Sequence, residues 1–137
     1  MKIISANKKD IKEITKLFKI PEFKLAYGRY MDETFYKIYL NKNYFLVAEE
    51  GKEIIGAMMG EEIKGKGVIM WYLATKKQYR KKGVATSLLK EFERRCKKKG
   101  IRWIMGHSII KKDLIKFYEK NRYKRGVNCI EYAKELK

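Results

Sequence analysis

A single proline, a single histidine and two cysteines occur among 137 residues, and each scarcity removes a class of protein. With Pro21 alone, no proline-rich linker divides the chain, and no segment repeats. One domain over residues 1–137, large enough for a real core, is expected. His107, Cys96 and Cys129 cannot assemble a recognisable zinc site, so no metal is expected. The cysteines are expected as reduced residues in the apolar faces of a helix (Cys96) and a strand (Cys129). Long hydrophobic runs are missing too. The longest uncharged apolar stretch, Val68 to Thr75, is far too short for a membrane-crossing helix. The start, "MKIISANKKD", turns polar after two isoleucines, unlike a signal peptide. A cytoplasmic location away from membranes is the expectation.

Acids are the remaining shortage: 16 stand against 34 lysines and arginines, a formal charge of +18. Such a surplus speaks to solubility or partners rather than to fold. It fits ammonium groups spread over every solvated face, and equally a nucleic acid or a polyanionic cofactor. What is abundant is apolar: 45% hydrophobic and 13% aromatic residues exclude a disordered chain.

"KIIS" predicts a first strand, and Ile11, Ile14, Leu17 and Phe18 recur at helical spacing behind Asn7 or Asp10 as caps. Pro21 ends that helix, and a second is expected over about Glu22–Asn41, rich in tyrosine. "YFLVAEE", "EIIGAMMGEEI" and "VIMWYLAT" then read as three antiparallel strands joined at "EEGKE" and "KGKG". Val84, Leu88, Leu89, Phe92 and Cys96 mark one face of a helix that closes with cations and Gly100. "IRWIMGH" predicts a strand, "KKDLIKFYEKN" a helix, and "YKRGVNCIEYAKEL" a final strand or hairpin. The order β-α-α-β-β-β-α-β-α-β describes an α/β domain with a mixed, mostly antiparallel central sheet flanked by helices. "GEEIKGKG" only imitates a phosphate-binding P-loop, since it ends in Gly67 and precedes a strand.

Between the third of these strands and the Val84 helix, Lys76 to Lys82 holds five cations and no acid, followed by Gly83. A helix N-terminus offers amides without intrahelical partners and the positive end of the dipole, which together bind phosphate. Gly83 permits an awkward turn, Ala85 keeps the surface small, and Arg80, Lys81 and Lys82 add charge. The pattern Arg80-x-x-Gly83-x-Ala85 resembles the [QR]-x-x-G-x-[GA] loop of the GNAT superfamily, the acyl-coenzyme-A-dependent N-acetyltransferases. "LIKFYEKNRY" (Leu114–Tyr123) is similar to that family's late helix. Two positions depart from it: a frequent asparagine is Lys111 here, and a glycine near the helix end is Arg122.

The resemblance implies a GNAT-like fold and acetyl-CoA as co-substrate. It implies that Leu73, Ala74 and Thr75 pair with the pantetheine arm, and that amides of Lys81, Lys82, Gly83, Val84, Ala85 and Thr86 hold the pyrophosphate. Lys111 stands at the position of a cofactor-contacting asparagine. Tyr118 falls on the tyrosine that protonates the departing thiolate, and the amine attacks directly, without a cysteine nucleophile. Acetyl transfer needs a neutral amine, and His107 is a candidate base because histidine ordinarily titrates near neutral pH. Glu61 and Glu62 are alternatives. Tyr27, Tyr30, Phe35, Tyr36 and Tyr39 would border the acceptor site, with Asp32 and Glu33 nearby. The acceptor is expected to be a primary amine, on a protein, peptide or small molecule, and an acidic surface on it would suit this basic chain. A monomer or a homodimer fits equally. Two other readings stay open: a basic protein associating nonspecifically with nucleic acid, and a catalytically silent coenzyme-A binder.

Overall fold

The computed structural model describes residues 1–136. Five strands form one sheet in the order β1-β2-β3-β4-β5, with β1 (Lys2–Ser5), β2 (Phe45–Glu50), β3 (Glu53–Ile63), β4 (Gly67–Thr75) and β5 (Trp103–Gly106). The first four pair antiparallel; tight turns join β2 to β3 and β3 to β4, whereas β1 reaches β2 through the long segment that carries the first helices. β5 follows a helical crossover and therefore lies parallel to β4. The expected fold class is borne out: an α/β domain whose mostly antiparallel sheet is flanked by helices.

Each sheet face carries its own apolar layer. On one, α3 (Val84–Lys98) seats Val84, Leu88, Leu89, Phe92 and Cys96 on Leu46, Met58, Val68 and Met70. Phe117, Tyr118 and Tyr123, from and just beyond α4 (Lys112–Lys120), pack against the same layer. On the other face, α1 (Ile11–Leu17) and the short α2 (Glu33–Lys37) bury Ile11, Ile14, Phe18 and Tyr36 against Phe45, Val47, Met59 and Tyr72. An aromatic nest closes this layer, with Tyr72 centred 5.1 Å from Phe18 and 4.8 Å from Phe23. Asn7 caps the first turn by accepting from the Lys9 amide, and Asp10 accepts from the Asn7 amide in return. No described helix is long and apolar enough to cross a membrane.

Two expectations are corrected. The single helix over about Glu22–Asn41 does not form. Instead two 3-10 turns (Pro21–Phe23 and Ala26–Gly28) precede α2, which starts only where Asp32 caps it by accepting from the Phe35 amide at 3.0 Å. Tyr27 and Gly28 both have left-handed backbone (φ 66° and 70°), which a continuous helix cannot contain. The final strand does not form among the described residues either. Residues 124–136 have no strand partner and are exposed, and Cys129 is exposed with them rather than lodged in an apolar face. That segment crosses the α1–α2 side, where Glu135 pairs with Arg29 at 3.1 Å and its amide donates to the Tyr27 hydroxyl. Cys96 is buried as expected, and burial pushes its thiol up to about 12.

Helix α3 lies so close to the sheet because two β3 glycines stand beneath it. A Cβ on Gly60 would sit 2.6 Å from the Phe92 ring and 2.9 Å from the Ile69 carbonyl oxygen. Gly60→Ala is therefore expected to lower unfolding free energy by about 1–3 kcal/mol through overpacking. The check is the urea midpoint, with an unchanged m-value showing that the folded state stays compact.

Candidate functional site

The site begins with a strand that runs out of neighbour. β4 pairs with β5 only from Gly67↔Trp103 to Met70↔Gly106, so the second half of β4, Trp71–Thr75, keeps β3 on one side and has no strand on the other. At the parting point the register between β3 and β4 shifts. Gly60 faces Met70 and Met59 faces Tyr72, which leaves Trp71 as a bulged residue. The bulge turns two consecutive aromatic side chains, Trp71 and Tyr72, toward the α1–α2 face. It also opens a backbone edge at Leu73, Ala74 and Thr75.

The basic loop leads from that edge to α3. Its cations are unequally employed. Lys76 pairs with Glu53 at 3.0 Å, and Tyr79 donates to the same carboxylate at 2.6 Å, which fixes the 3-10 turn Lys77–Tyr79. The Glu53 carboxyl is held below its ordinary value by the Tyr79 and Lys76 hydrogen bonds. Lys82 rests its ammonium over the Tyr79 ring, 5.7 Å from the centroid, and Arg80 Nε donates to the Thr75 carbonyl at 3.3 Å. Lys77 and Lys81 are exposed, with no carboxylate partner among the described residues.

The chain then twists twice through left-handed backbone, at Lys81 (φ 61°) and Gly83 (φ 83°), before entering α3. No side chain caps the helix, and its first bond runs from the Ser87 amide to the Gly83 carbonyl at 3.0 Å. Among the described residues, the amides of Lys81, Lys82, Gly83, Val84, Ala85 and Thr86 therefore have no acceptor. A Cβ on Gly83 would meet nothing within 4 Å, so the turn into α3 is uncrowded at that point. Close by, Thr75 Oγ1 is buried without a hydrogen-bond partner. Partner-free amides, an unpaired strand edge and an orphan hydroxyl fit a long anionic ligand with amide groups along its length, as coenzyme A is.

The other expected residues are dispersed around this cleft. Tyr118 is half-buried, edge-on to Phe117 (5.1 Å) and Tyr123 (5.8 Å), and burial raises its phenol above the ordinary value. His107 follows β5 and is exposed, and among the described residues no hydrogen bond joins it to Tyr118 or to a carboxylate. Lys111 is the extended residue just before α4 and pairs with Glu22 at 3.2 Å. The Glu22 carboxyl is held down by its own backbone hydrogen bond and then by Lys111.

Glu61 and Glu62 point to opposite faces. Glu62 accepts from Tyr44 on the α3 side, whereas Glu61 turns to the α1–α2 side. There it accepts from Tyr39 at 3.1 Å and from Trp71 Nε1 at 2.9 Å, both through Oε1. Trp71 reaches Glu61 by ordinary alternation, two residues after Ile69, which faces Glu61 across the ladder, and the bulge adds Tyr72 to the same face. Residue types do not announce the pairing register, so the sequence shows the carboxylate but not its partners. Of the tyrosines expected around the acceptor, Tyr36 is a core residue, Tyr27 lies 62% exposed and Tyr30 is half-buried, while Tyr39 is the one that donates to Glu61. No group of three or more metal-binding side chains occurs among the described residues.

The family model described as Acetyltransferase (GNAT) family matches residues 11–122, a span that includes the loop, α3 and α4. An acetyltransferase of Pectobacterium atrosepticum is 32% identical over 103 residues, which is 73% of this chain and 70% of that one. Among solved structures, a transcriptional regulator from Bacillus halodurans C-125 superposes with a TM-score of 0.77 at 20% identity, covering 96% of this chain and 98% of that one. The aminoglycoside N-acetyltransferase AAC(6')-Iy in complex with CoA gives a TM-score of 0.75 at 17% identity, covering 98% and 95%. With the same element order, the open β4 edge and a matched span covering most of its length, the chain belongs to the GNAT acetyltransferase family.

Proposed function

We propose that this protein transfers the acetyl group of acetyl-CoA to a primary amine. The observation that carries the reading is the run of acceptor-free amides from Lys81 to Thr86 beside the unpaired edge of β4. In this reading those amides and the positive end of the α3 dipole hold the pyrophosphate. Arg80, Lys81 and Lys82 add charge, and Lys111 stands near the cleft mouth to do the same. Backbone groups of Leu73, Ala74 and Thr75 align the pantetheine arm as an added strand would. Bound there, acetyl-CoA supplies an activated thioester carbonyl.

The protein's own groups then manage protons. Tyr118, kept neutral by burial, carries a proton on its hydroxyl for the sulfur that leaves. Glu61 accepts two hydrogen bonds on one oxygen and keeps Oε2 to hold a cationic amine and draw its proton. His107, exposed after β5, is the other candidate base. Trp71 and Tyr39 form the apolar wall beside the amine.

Titration calorimetry with acetyl-CoA tests the cofactor site. Wild-type binding in the micromolar range is expected, weakened at least about tenfold by Gly83→Val, because a β-branched residue is strained at positive φ and would disturb the turn that presents the amides. Unchanged affinity would overturn the assignment. With an amine acceptor found by screening, Tyr118→Phe is expected to lower kcat about a hundredfold while leaving the acetyl-CoA Kd within about threefold. Because burial raises the phenol, the wild-type rate should show no falling limb from Tyr118 below about pH 10. Glu61→Gln should raise the KM for amine and leave acetyl-CoA binding unchanged. His107→Gln with the same profile as wild type would leave Glu61 as the base.

A further inference from the structure

The far end of the sheet, where β4 and β5 are still paired, combines features that the acetyl-transfer site does not use. Residues 94–112 hold eight cations and no acid. The chain leaves α3 through exposed Lys97, Lys98 and Lys99 and turns at Gly100 (φ 74°). The Arg102 amide then donates to the Lys66 carbonyl at 2.8 Å. That bond places Arg102 beside the β3–β4 turn, whose Lys64 and Lys66 are both exposed. Lys64, Lys66, Lys97, Lys98, Lys99 and Arg102 have no carboxylate within ion-pair distance among the described residues. The acids on neighbouring strand and helix positions bond to other groups: Glu61 to Tyr39 and Trp71, Glu62 to Tyr44, Glu91 to Arg94 and Arg95, and Glu93 to Tyr123. They keep their charge, but the six cations outnumber these four carboxylates, so the surface here is net positive.

Within this rim lies an indole. Trp103 pairs with Gly67, and a Cβ on Gly67 would meet three atoms of the Trp103 ring at 2.3, 2.5 and 2.6 Å. Three ring atoms at nearly one distance mean that the ring lies face-on over the glycine. Trp103 is 42% exposed, so part of the ring meets solvent. Ile69 and Met105, the next pair but one along the same two strands, continue the apolar surface on this side. Glycine is what lets the indole lie flat, since any side chain at 67 would lift it.

A flat aromatic face ringed by unpaired cations is the arrangement that holds an unstacked base while its phosphates meet lysine and arginine. We propose that this end of the sheet is a docking surface for single-stranded nucleic acid, with a base stacked on Trp103 and the backbone running between the Lys64–Lys66 turn and Arg102. A duplex hides its base faces and would use only the charge, as would an acidic polypeptide. The surface is separate from the Lys76–Gly83 loop and does not depend on the acetyltransferase reading.

The test is fluorescence anisotropy of the full chain with a labelled 12-nucleotide single-stranded RNA, the matching duplex, and polyglutamate, over a salt series. Micromolar binding of the single strand is expected. Trp103→Ala should weaken it about tenfold without changing duplex binding, while Trp103→Phe, which keeps a ring, stays within about threefold of wild type. Replacing Lys64, Lys66 and Arg102 by glutamine should reduce the slope of log Kd against log salt by about 2. Thermal melting checks that each variant is folded, and the phenylalanine variant carries the comparison if the alanine variant is not. Saturating acetyl-CoA should leave the RNA bound. Equal binding of duplex or polyglutamate, indifference to Trp103→Ala in a folded protein, or displacement by acetyl-CoA would each overturn the proposal.

Discussion

A β-strand has two hydrogen-bonding edges, and everything at this protein's cleft follows from β4 filling only one of them beyond Met70. Unpaired backbone groups in a central strand cost free energy unless water or a ligand meets them. The bulge at Trp71 enforces the arrangement, because an extra residue bends the strand and increases its twist where β5 would otherwise continue. The same extra residue changes which face each later side chain occupies. Tyr72 thereby joins Trp71 on the α1–α2 side, where Trp71 donates to Glu61. The open strand edge and two adjacent aromatic side chains thus meet at one register shift.

The start of α3 supplies the second half of the device. A helix usually covers its first amides with a serine, threonine or acid at the cap. This one enters through a left-handed glycine with no capping side chain, directly after the open edge. That omission makes sense if the amides are reserved for an anion. Firmness comes from below: Glu53 on β3 takes both Lys76 and Tyr79, so the loop is tied to the sheet rather than to the ligand. Lys82 is held over the Tyr79 ring as well. A preorganised loop loses less conformational freedom when an anion arrives.

Charge explains the rest of the surface unevenly. Several acids are spent on neighbouring arginines and lysines; Glu91, for instance, is drawn down to about 2 by hydrogen bonds from Arg94 and then Arg95. Arg95 also donates to Ser5 and to the Asn43 carbonyl, fastening α3 to the β1 side of the sheet. Most of the other cations have no such partner: among the described residues seven lysine and arginine side chains make ion pairs, and the unpaired ones include parts of the basic loop before α3 and the closed end of the sheet around Trp103. The surplus of +18 is therefore spread widely over the surface.

Much of this was legible in the residues, for a physical reason. Period and turn chemistry are local, so the Val84–Lys98 helix, the β2–β3–β4 meander and the α4 segment all follow from spacing, and Gly83 marks the turn into α3 by its freedom at positive φ. Where local signals are weak, the tertiary structure decided. Tyrosines at helical spacing between Glu22 and Asn41 did not make a helix, because Pro21, Gly28 and the Asp32 cap divide the segment and its rings pack on Tyr72. The alternating pattern near Cys129 did not make a strand, since a strand requires a neighbour's edge and that segment is drawn instead to Arg29 and Tyr27. Register is the extreme case. No residue type demands a bulge at Trp71, which exists only once Gly60, Met70 and the packing of both faces are brought together. On that one displaced residue depends the face that Tyr72 and every later β4 side chain occupies.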